Sequence, residues 1–324
     1  MDTKKDKIEN NYNNKLTFNK KKIEIEIRKI FNNAVIKNYE FFIEGLVSPT
    51  FKIKINNPSK TLVVKLTKIK REKQIIKNNL ILEYLNKNKI LAPRIYLSNK
   101  FEKKIITIMS FCKGKNAKEV YLKSNEDIKK EILYNAGHLL KKIHNLKIPQ
   151  FWEHQKHEIK DVNEWKNWTK NRISKYLLFI KNKMKNEYKS IEKILNNFYN
   201  ILENEKFNLS PLHWDYHFAN FNVNEKGKIT GIFDFDNSMK GHNLADIGQT
   251  LYWINFHFDE KERFFYFLNG YKKKFNNKEL ELIKGYYLLH ILAVTRSIWF
   301  KKRLRWIIDK HIIMINDMIK NDIF

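Results

Sequence analysis

The apolar residues of this chain change period once, and that change bounds what it can fold into. Between Tyr39 and Phe111 they fall in short β-rich runs: Tyr39–Glu44, Phe51–Ile55 alternating with lysine, Thr61–Thr67, Arg94–Leu97 and Lys104–Phe111. Turn chemistry separates the first three, with Gly45–Thr50 (GLVSPT) in one gap and Asn57, Pro58 and Ser59 in the next. A single helical stretch interrupts them, from about Arg71 to Asn86, with Ile75, Ile76, Leu80, Leu82 and Leu85 as its apolar stripe and Pro93 closing it. A shorter helix is predicted ahead of the strands, over Lys22–Asn33.

From Lys113 onward the spacing becomes helical. Ser124-Asn125-Glu126-Asp127 matches a capping box opening at Ser124, and Ile128, Ile132, Ala136, Leu139, Leu140 and Ile143 follow at three-to-four spacing. Helical pattern resumes over Val162–Glu205 and again, as three helices, over Leu244–Ile323. Only Leu209–Phe233 breaks it, with a hairpin turning at Glu225-Lys226-Gly227. The chain is therefore predicted to be α+β. A five-stranded antiparallel N-terminal lobe over residues 22–112 precedes a helical C-terminal lobe over 113–324, with the seam near Phe111–Gly114.

Composition excludes more than it selects. A chain of 324 residues suits one large or two modest domains. Residues 1–21 are polar and rich in Lys and Asn, which reads as a disordered tail. No apolar run is long enough for a membrane span, so no membrane partner is expected. The lone Cys112 rules out an internal disulfide and suits a reducing cytoplasm. A net charge of +28 raises the possibility of a nucleic-acid or membrane-surface binder. The lysines are dispersed, however, and arginine is scarce beside inflated Lys, Asn and Ile, as an AT-rich coding sequence would give. Dispersed charge specifies no partner, so no specific nucleic acid is expected, and the chain reads as a monomer or weak dimer.

The chemistry is concentrated in Leu212–Phe235, LHWDYHFANFNVNEKGKITGIFDF. Asn220 follows Asp215 by five residues, and Asp234 closes the hairpin behind them. Phosphoryl transfer asks little covalent chemistry of a protein. It needs a carboxylate to orient and deprotonate an attacking hydroxyl, and hard oxygen donors to hold magnesium on the phosphates. An Asp and an Asn on one loop, joined by an Asp flanked by Phe233 and Phe235, supply those groups. A carboxylate between aromatic rings is costly without a cation or several hydrogen bonds.

This segment resembles the catalytic core of the aminoglycoside phosphotransferase / choline kinase-like family, a branch of the protein-kinase-like fold. That family's loop reads roughly H-G-D-x-x-x-x-N and its hairpin ends in I-D-F. Here they read His213-Trp214-Asp215-Tyr216-His217-Phe218-Ala219-Asn220 and Phe233-Asp234-Phe235, with Trp214 where the family has glycine. The resemblance implies a bilobal fold and a small-molecule kinase using ATP or GTP, with Asp215 catalytic and Mg2+, two ions by the family pattern, on Asn220 and Asp234. Within the same resemblance His213 is structural, and Asp246, in Gly241-His242-Asn243-Leu244-Ala245-Asp246-Ile247, braces the loop. Lys65, inside the strand Leu62–Leu66, would pair the nucleotide's phosphates, with Glu72 or Glu83 as its partner. Gly45–Phe51, through Gly45 and Ser48, would cover the phosphates, and Ser110, Phe111 and Cys112 would meet the base at the hinge. His144 is a packing residue in this reading.

Protein substrates do not fit, because Asp234 continues as Asp-Phe-Asp and no Ala-Pro-Glu follows. The acceptor is a small hydroxyl-bearing molecule, with Trp253, Asp259, Glu260 and Glu262 as its candidate contacts. Aromatic rings and carboxylates together hold an amine, which places aminoglycoside-type acceptors ahead of choline, amino-alcohols or sugars. The alternatives are a choline- or homoserine-type metabolic kinase and a catalytically inactive nucleotide-binding module.

Overall fold

Five antiparallel strands and one preceding helix build the first of two units in the computed structural model, which describes residues 19–42, 48–153, 158–272 and 274–320. Most of the expected N-terminal tail and Gly45 lie outside the described residues. Helix α1 (Lys20–Arg28) opens on Asn19, whose side chain accepts the Lys22 N–H at 3.1 Å. Its buried Ile23 and Ile27 join the core of the sheet formed by β1 (Val35–Phe41), β2 (Thr50–Asn56), β3 (Lys60–Lys68), β4 (Ile95–Phe101) and β5 (Lys104–Ser110). The strand order is β1-β2-β3-β5-β4. Strand alternation sets the two faces. Phe51, Ile53 and Ile55, Leu62, Val64 and Leu66, and Ile106 and Ile108 all enter the core with α1, which puts Thr61, Val63 and Lys65 on the opposite face.

Between β3 and β4 runs α2 (Glu72–Lys87). It buries Ile75, Asn78, Leu82 and Leu85, a stripe at three-to-four spacing, whereas Ile76 and Leu80 are exposed. The sequence placed those two on the apolar stripe; they fall one residue round the helix from it. The first unit runs to Asn86 and takes in Ala92–Cys112, while Lys87–Leu91 go with the second unit, where the Ile232 N–H reaches the Leu91 carbonyl at 2.9 Å.

The second unit starts with β6 (Lys115–Asn116), α3 (Ala117–Lys123) and α4 (Glu126–His144). The cap of α4 is Asn125, accepting the Ile128 N–H at 3.1 Å, rather than Ser124 as the capping-box spacing suggested. Next come α5 (Val162–Lys183) and α6 (Tyr188–Asn204), one stretch in the sequence pattern and two helices here because Met184 leaves helical geometry. Then follow β7 (Ser210–Leu212), β8 (Phe221–Val223), β9 (Ile229–Ile232) and β10 (Met239–Gly241). Strands β6, β8 and β9 form one small antiparallel sheet, and β7 pairs with β10 in another. Four helices close the unit: α7 (Asn243–Phe258), α8 (Phe264–Tyr271), α9 (Asn277–Ile298) and α10 (Arg305–Lys320). The expected three become four because Asp259 ends α7 in a left-handed conformation and Asn276 restarts the chain with a capping box to Glu279. Among the described residues no helix is long and apolar enough to cross a membrane.

Candidate active site

The loop from β7 to β8 is held by one buried acid. Asp246, in the first turn of α7 and fully buried, accepts the His213 N–H on Oδ2 at 2.7 Å and the Trp214 N–H on Oδ1 at 3.0 Å. His144 Nε2 meets the same Oδ2 at 3.2 Å, and its Nδ1 lies 2.9 Å from the Tyr271 hydroxyl, which also accepts from Asn243 Nδ2 at 2.9 Å. His144 thus sits behind the loop and not in the reacting region. Three groups converge on a carboxylate that would otherwise be costly to bury.

Trp214 lies in the left-handed region, with φ 60. A residue with a Cβ adopts that conformation only when its surroundings hold it there, and the bond to Asp246 does so. The indole is fixed from its other side by Trp165 and Trp168, at centroid distances of 5.8 and 5.7 Å. Trp165 itself rests on Gly241, where any Cβ would lie 2.0 Å from the ring.

Asp215 follows, half-buried. Asn220 donates from Nδ2 to the Asp215 backbone carbonyl at 2.8 Å, which fixes the turn and aims the amide. The Phe233 N–H bonds the Asn220 carbonyl at 3.0 Å and His213 Nε2 donates to the Phe233 carbonyl at 3.2 Å, tying the loop to the end of the hairpin. The hairpin turns at Gly227, whose φ of 75 the sequence met with glycine. Asp234 is left-handed, φ 67, and opens a short turn that brings Asn237 Nδ2 to 3.4 Å from Asp215 Oδ2.

Burial, and then the negative charge of Asp234, push the Asp215 carboxyl up to about 7, with Asn237 opposing. A carboxylate raised by a neighbouring carboxylate marks a site awaiting positive charge. His217 accepts the Ala219 N–H on Nδ1 at 3.3 Å, so its proton sits on Nε2, 3.6 Å from Asp215 Oδ1. Burial, with His213 and His257 as like-charged neighbours, lowers His217 to about 3, so the ring is neutral and presents a dipole to Asp215.

Residues expected at the nucleotide lie in the first unit. Lys65 is half-buried on the face of β3 away from the core. Ser48 is buried, and its carbonyl accepts the Thr50 hydroxyl at 3.0 Å. The Ser110 N–H is committed to the Arg94 carbonyl at 2.9 Å and the Phe111 N–H reaches the Thr61 carbonyl at 3.4 Å. Burial raises the half-buried Cys112 thiol to about 11, leaving it protonated and unreactive at neutral pH. Of the two glutamates considered for Lys65, Glu83 is exposed and Glu72 is half-buried at the start of α2.

The expected acceptor residues separate. Trp253 packs on His217, 5.1 Å between centroids, and so belongs to the surroundings of Asp215. Glu260 takes the Tyr121 hydroxyl and pairs with Arg263 at 3.4 Å and Lys129 at 3.7 Å. Asp259 is exposed with Lys310 at 3.7 Å, and Glu262 is exposed.

The architecture is that of known enzymes. A family model described as the phosphotransferase enzyme family matches residues 39–270. The chain belongs to that family. Solved structures agree at the level of the fold. The GDP complex of wild-type aminoglycoside 2'-phosphotransferase-IIIa is 13% identical, with a TM-score of 0.64 over 94% of this chain and 99% of that one. A thermostable mutant of aminoglycoside phosphotransferase APH(4)-Ia, in its apo form, gives 12% and 0.67 over 91% and 98%. ADP-bound APH(2'')-Ib gives 20% and 0.59 over 89% and 95%. No curated protein matches by sequence. The chain is thus a phosphotransferase of the protein-kinase-like fold.

Proposed function

We propose that this phosphotransferase moves the γ-phosphoryl group of ATP or GTP onto a hydroxyl of a small molecule, with Asp215 orienting and accepting the proton of that hydroxyl. The observation that carries the reading is the Asp215 carboxylate itself. It is half-buried, raised to about 7 by burial and Asp234, and set on a loop whose amides are pinned by Asp246. A carboxylate within reach of the hydroxyl accepts its proton as it attacks and releases it afterwards. Catalysis beyond this is positioning.

The donor set suits magnesium. Among the described residues no group of three or more His, Cys, Asp and Glu could hold an ion. A pair of hard oxygen donors, Asn220 and Asp234, suits a cation that arrives already bound to phosphates and keeps other positions for them. Asn220 spends its Nδ2 on the Asp215 carbonyl, which reserves Oδ1 for such a cation. Magnesium would neutralise charge on the phosphates, while Asn220 and Asp234 fix where they lie. Lys65 contributes a further cation to the phosphates, and the hinge residues Ser110, Phe111 and Cys112 meet the base. The neighbours in the GDP and ADP complexes hold nucleotides of both bases, so both triphosphates belong in the test.

A screen of hydroxyl acceptors with ATP and GTP, following γ-phosphate transfer with and without Mg2+, tests the reading. Magnesium-dependent phosphorylation of an acceptor is the expected result. Magnesium-nucleotide binding without any turnover, to acceptor or to water, would instead mark an inactive nucleotide-binding module.

A further inference from the structure

Seven residues from α5, the catalytic loop, α7 and α9 form a circuit that starts and ends beside Asp215. Arg172 lays its guanidinium carbon over Trp168 at 4.5 Å and over Trp214 at 5.6 Å. Gln249 donates from Nε2 toward the Trp214 carbonyl at 3.4 Å and lies 3.2 Å from His290 Nδ1. Trp253 packs on His290 at 5.7 Å and on His217 at 5.1 Å between centroids. His217 then faces Asp215 at 3.6 Å.

This circuit carries open hydrogen-bonding atoms. Among the described residues, Gln249 Oε1, His290 Nε2 and Trp253 Nε1 are buried with no partner. Gln249 Nε2 donates to His290 Nδ1, so the His290 proton sits on Nε2. Two of the three open atoms are therefore donors, and only Gln249 offers an acceptor. An unpaired buried donor is costly, so these atoms call for a ligand rich in lone pairs. The half-buried Arg172 bonds the Tyr176 hydroxyl at 3.4 Å and has no carboxylate within ion-pair distance among the described residues. The imidazoles add no positive charge, since burial, with Arg172 as a nearby cation, lowers His290 to about 3. An ammonium group has no lone pair to offer and would meet Arg172 as a like charge. The acids that might have held an amine already have cationic partners, Glu260 with Arg263 and Lys129, Asp259 with Lys310.

Resting on the phosphotransferase reading above, we propose that the acceptor is an anionic alcohol whose carboxylate or phosphate meets Arg172 while His290, Trp253 and Gln249 bind its other oxygens. The charged partner is a guanidinium stacked on two indoles, a group suited to planar, bidentate recognition of either anion.

The test compares kcat/KM for five acceptors, each with saturating Mg-ATP and Mg-GTP: glycerate, glucose 6-phosphate, ribose, choline and kanamycin. Glycerate and glucose 6-phosphate separate the two sources of negative charge. One of them is expected to exceed ribose, choline and kanamycin by at least about tenfold, the worth of one charge-assisted hydrogen bond. Arg172→Gln is then expected to lower kcat/KM for that anion by about tenfold or more while narrowing its advantage over ribose. A merely structural arginine would lower every acceptor alike. Choline or kanamycin as best acceptor, ribose matching the anions, or Arg172→Gln leaving the ratios unchanged would each overturn the proposal. Hydrolysis of the nucleotide to water without transfer to any of the five would also overturn it and leave the phosphotransferase reading standing. No magnesium-dependent turnover of either nucleotide would sink both.

Discussion

Without the Asp246 carboxylate, the amides of His213 and Trp214 would have no acceptor inside the protein. Each buried unmet donor costs about 1–3 kcal/mol, and Trp214 would lose the bond that holds it at φ 60. Asp246→Ala is therefore expected to lower stability by about 2–4 kcal/mol in a denaturant titration, and to cut phosphoryl transfer with it. Wild-type stability in that variant would show that the loop is held by its aromatic packing alone. Asn220 and Asp234 yield a different signature. Asn220→Ala and Asp234→Ala are both expected to weaken Mg-nucleotide binding, and extra magnesium is expected to restore part of it for Asn220→Ala. Thermal shifts by Mg-ATP equal to those of the wild type in both variants would remove the pair as a metal site. Asn220 and Asp234 could be picked out in the sequence because they lie with His213 and Asp215 within one short segment whose spacing is tied to chemistry. His217 and Asn237 lie in or beside the same segment and were open to the same reading, as hydrogen-bonding groups next to Asp215. Arg172, Gln249 and His290 carry no such signal, since only tertiary packing brings α5, α7 and α9 to the loop.

At the scale of elements, the strands were legible because one buried face forces alternation, as in Leu62, Val64 and Leu66 against Thr61, Val63 and Lys65. Helix ends were less so. Polar residues can cap from neighbouring positions, and Asn125 took the place offered to Ser124. The same ambiguity merged α8 with α7 or α9 in the sequence pattern, although Asp259 and Asn276 mark both breaks. Of the acids considered for the acceptor, Glu260 pairs with Lys129 and Arg263 and Asp259 with Lys310, contacts that only the folded chain brings together. Helix α9 depends on its cap, where Asn276 accepts the Glu279 N–H at 2.9 Å and Glu279 answers to the Asn276 N–H at 2.9 Å. Asn276→Ala is expected to destabilise the protein by about 1 kcal/mol. Chemical denaturation measures it, and an unchanged midpoint would mean that packing of α9 alone fixes its start.

Across the whole molecule, charge and burial act on different residues. The lysines supply most of the positive charge behind the chain's +28, whereas the buried histidines link stability to pH. Burial lowers His217, His242 and His290 to about 3, and His257 and His311 to about 4. In the unfolded chain each returns to about 6.5. Between those values the unfolded state binds more protons than the folded one, so stability falls as pH drops below about 6.5. Asp215, raised to about 7, acts in the opposite sense, as one group against five. Melting temperature is therefore expected to drop between pH 7.5 and pH 5 at constant salt, with both values chosen to bracket an unperturbed imidazole at about 6.5. A flat or rising melting temperature would contradict the neutral, buried assignment of these rings.

In the proposed reaction Asp215 serves the acceptor hydroxyl while Asn220 and Asp234 hold the Mg-nucleotide. Transfer of labelled γ-phosphate to the best acceptor, compared between wild type and Asp215→Asn, tests that division of roles. A loss of about a hundred- to ten-thousandfold in transfer is expected, with Mg-nucleotide affinity and melting temperature close to wild type. Transfer within about tenfold of wild type, well short of a general base's usual contribution, would contradict it.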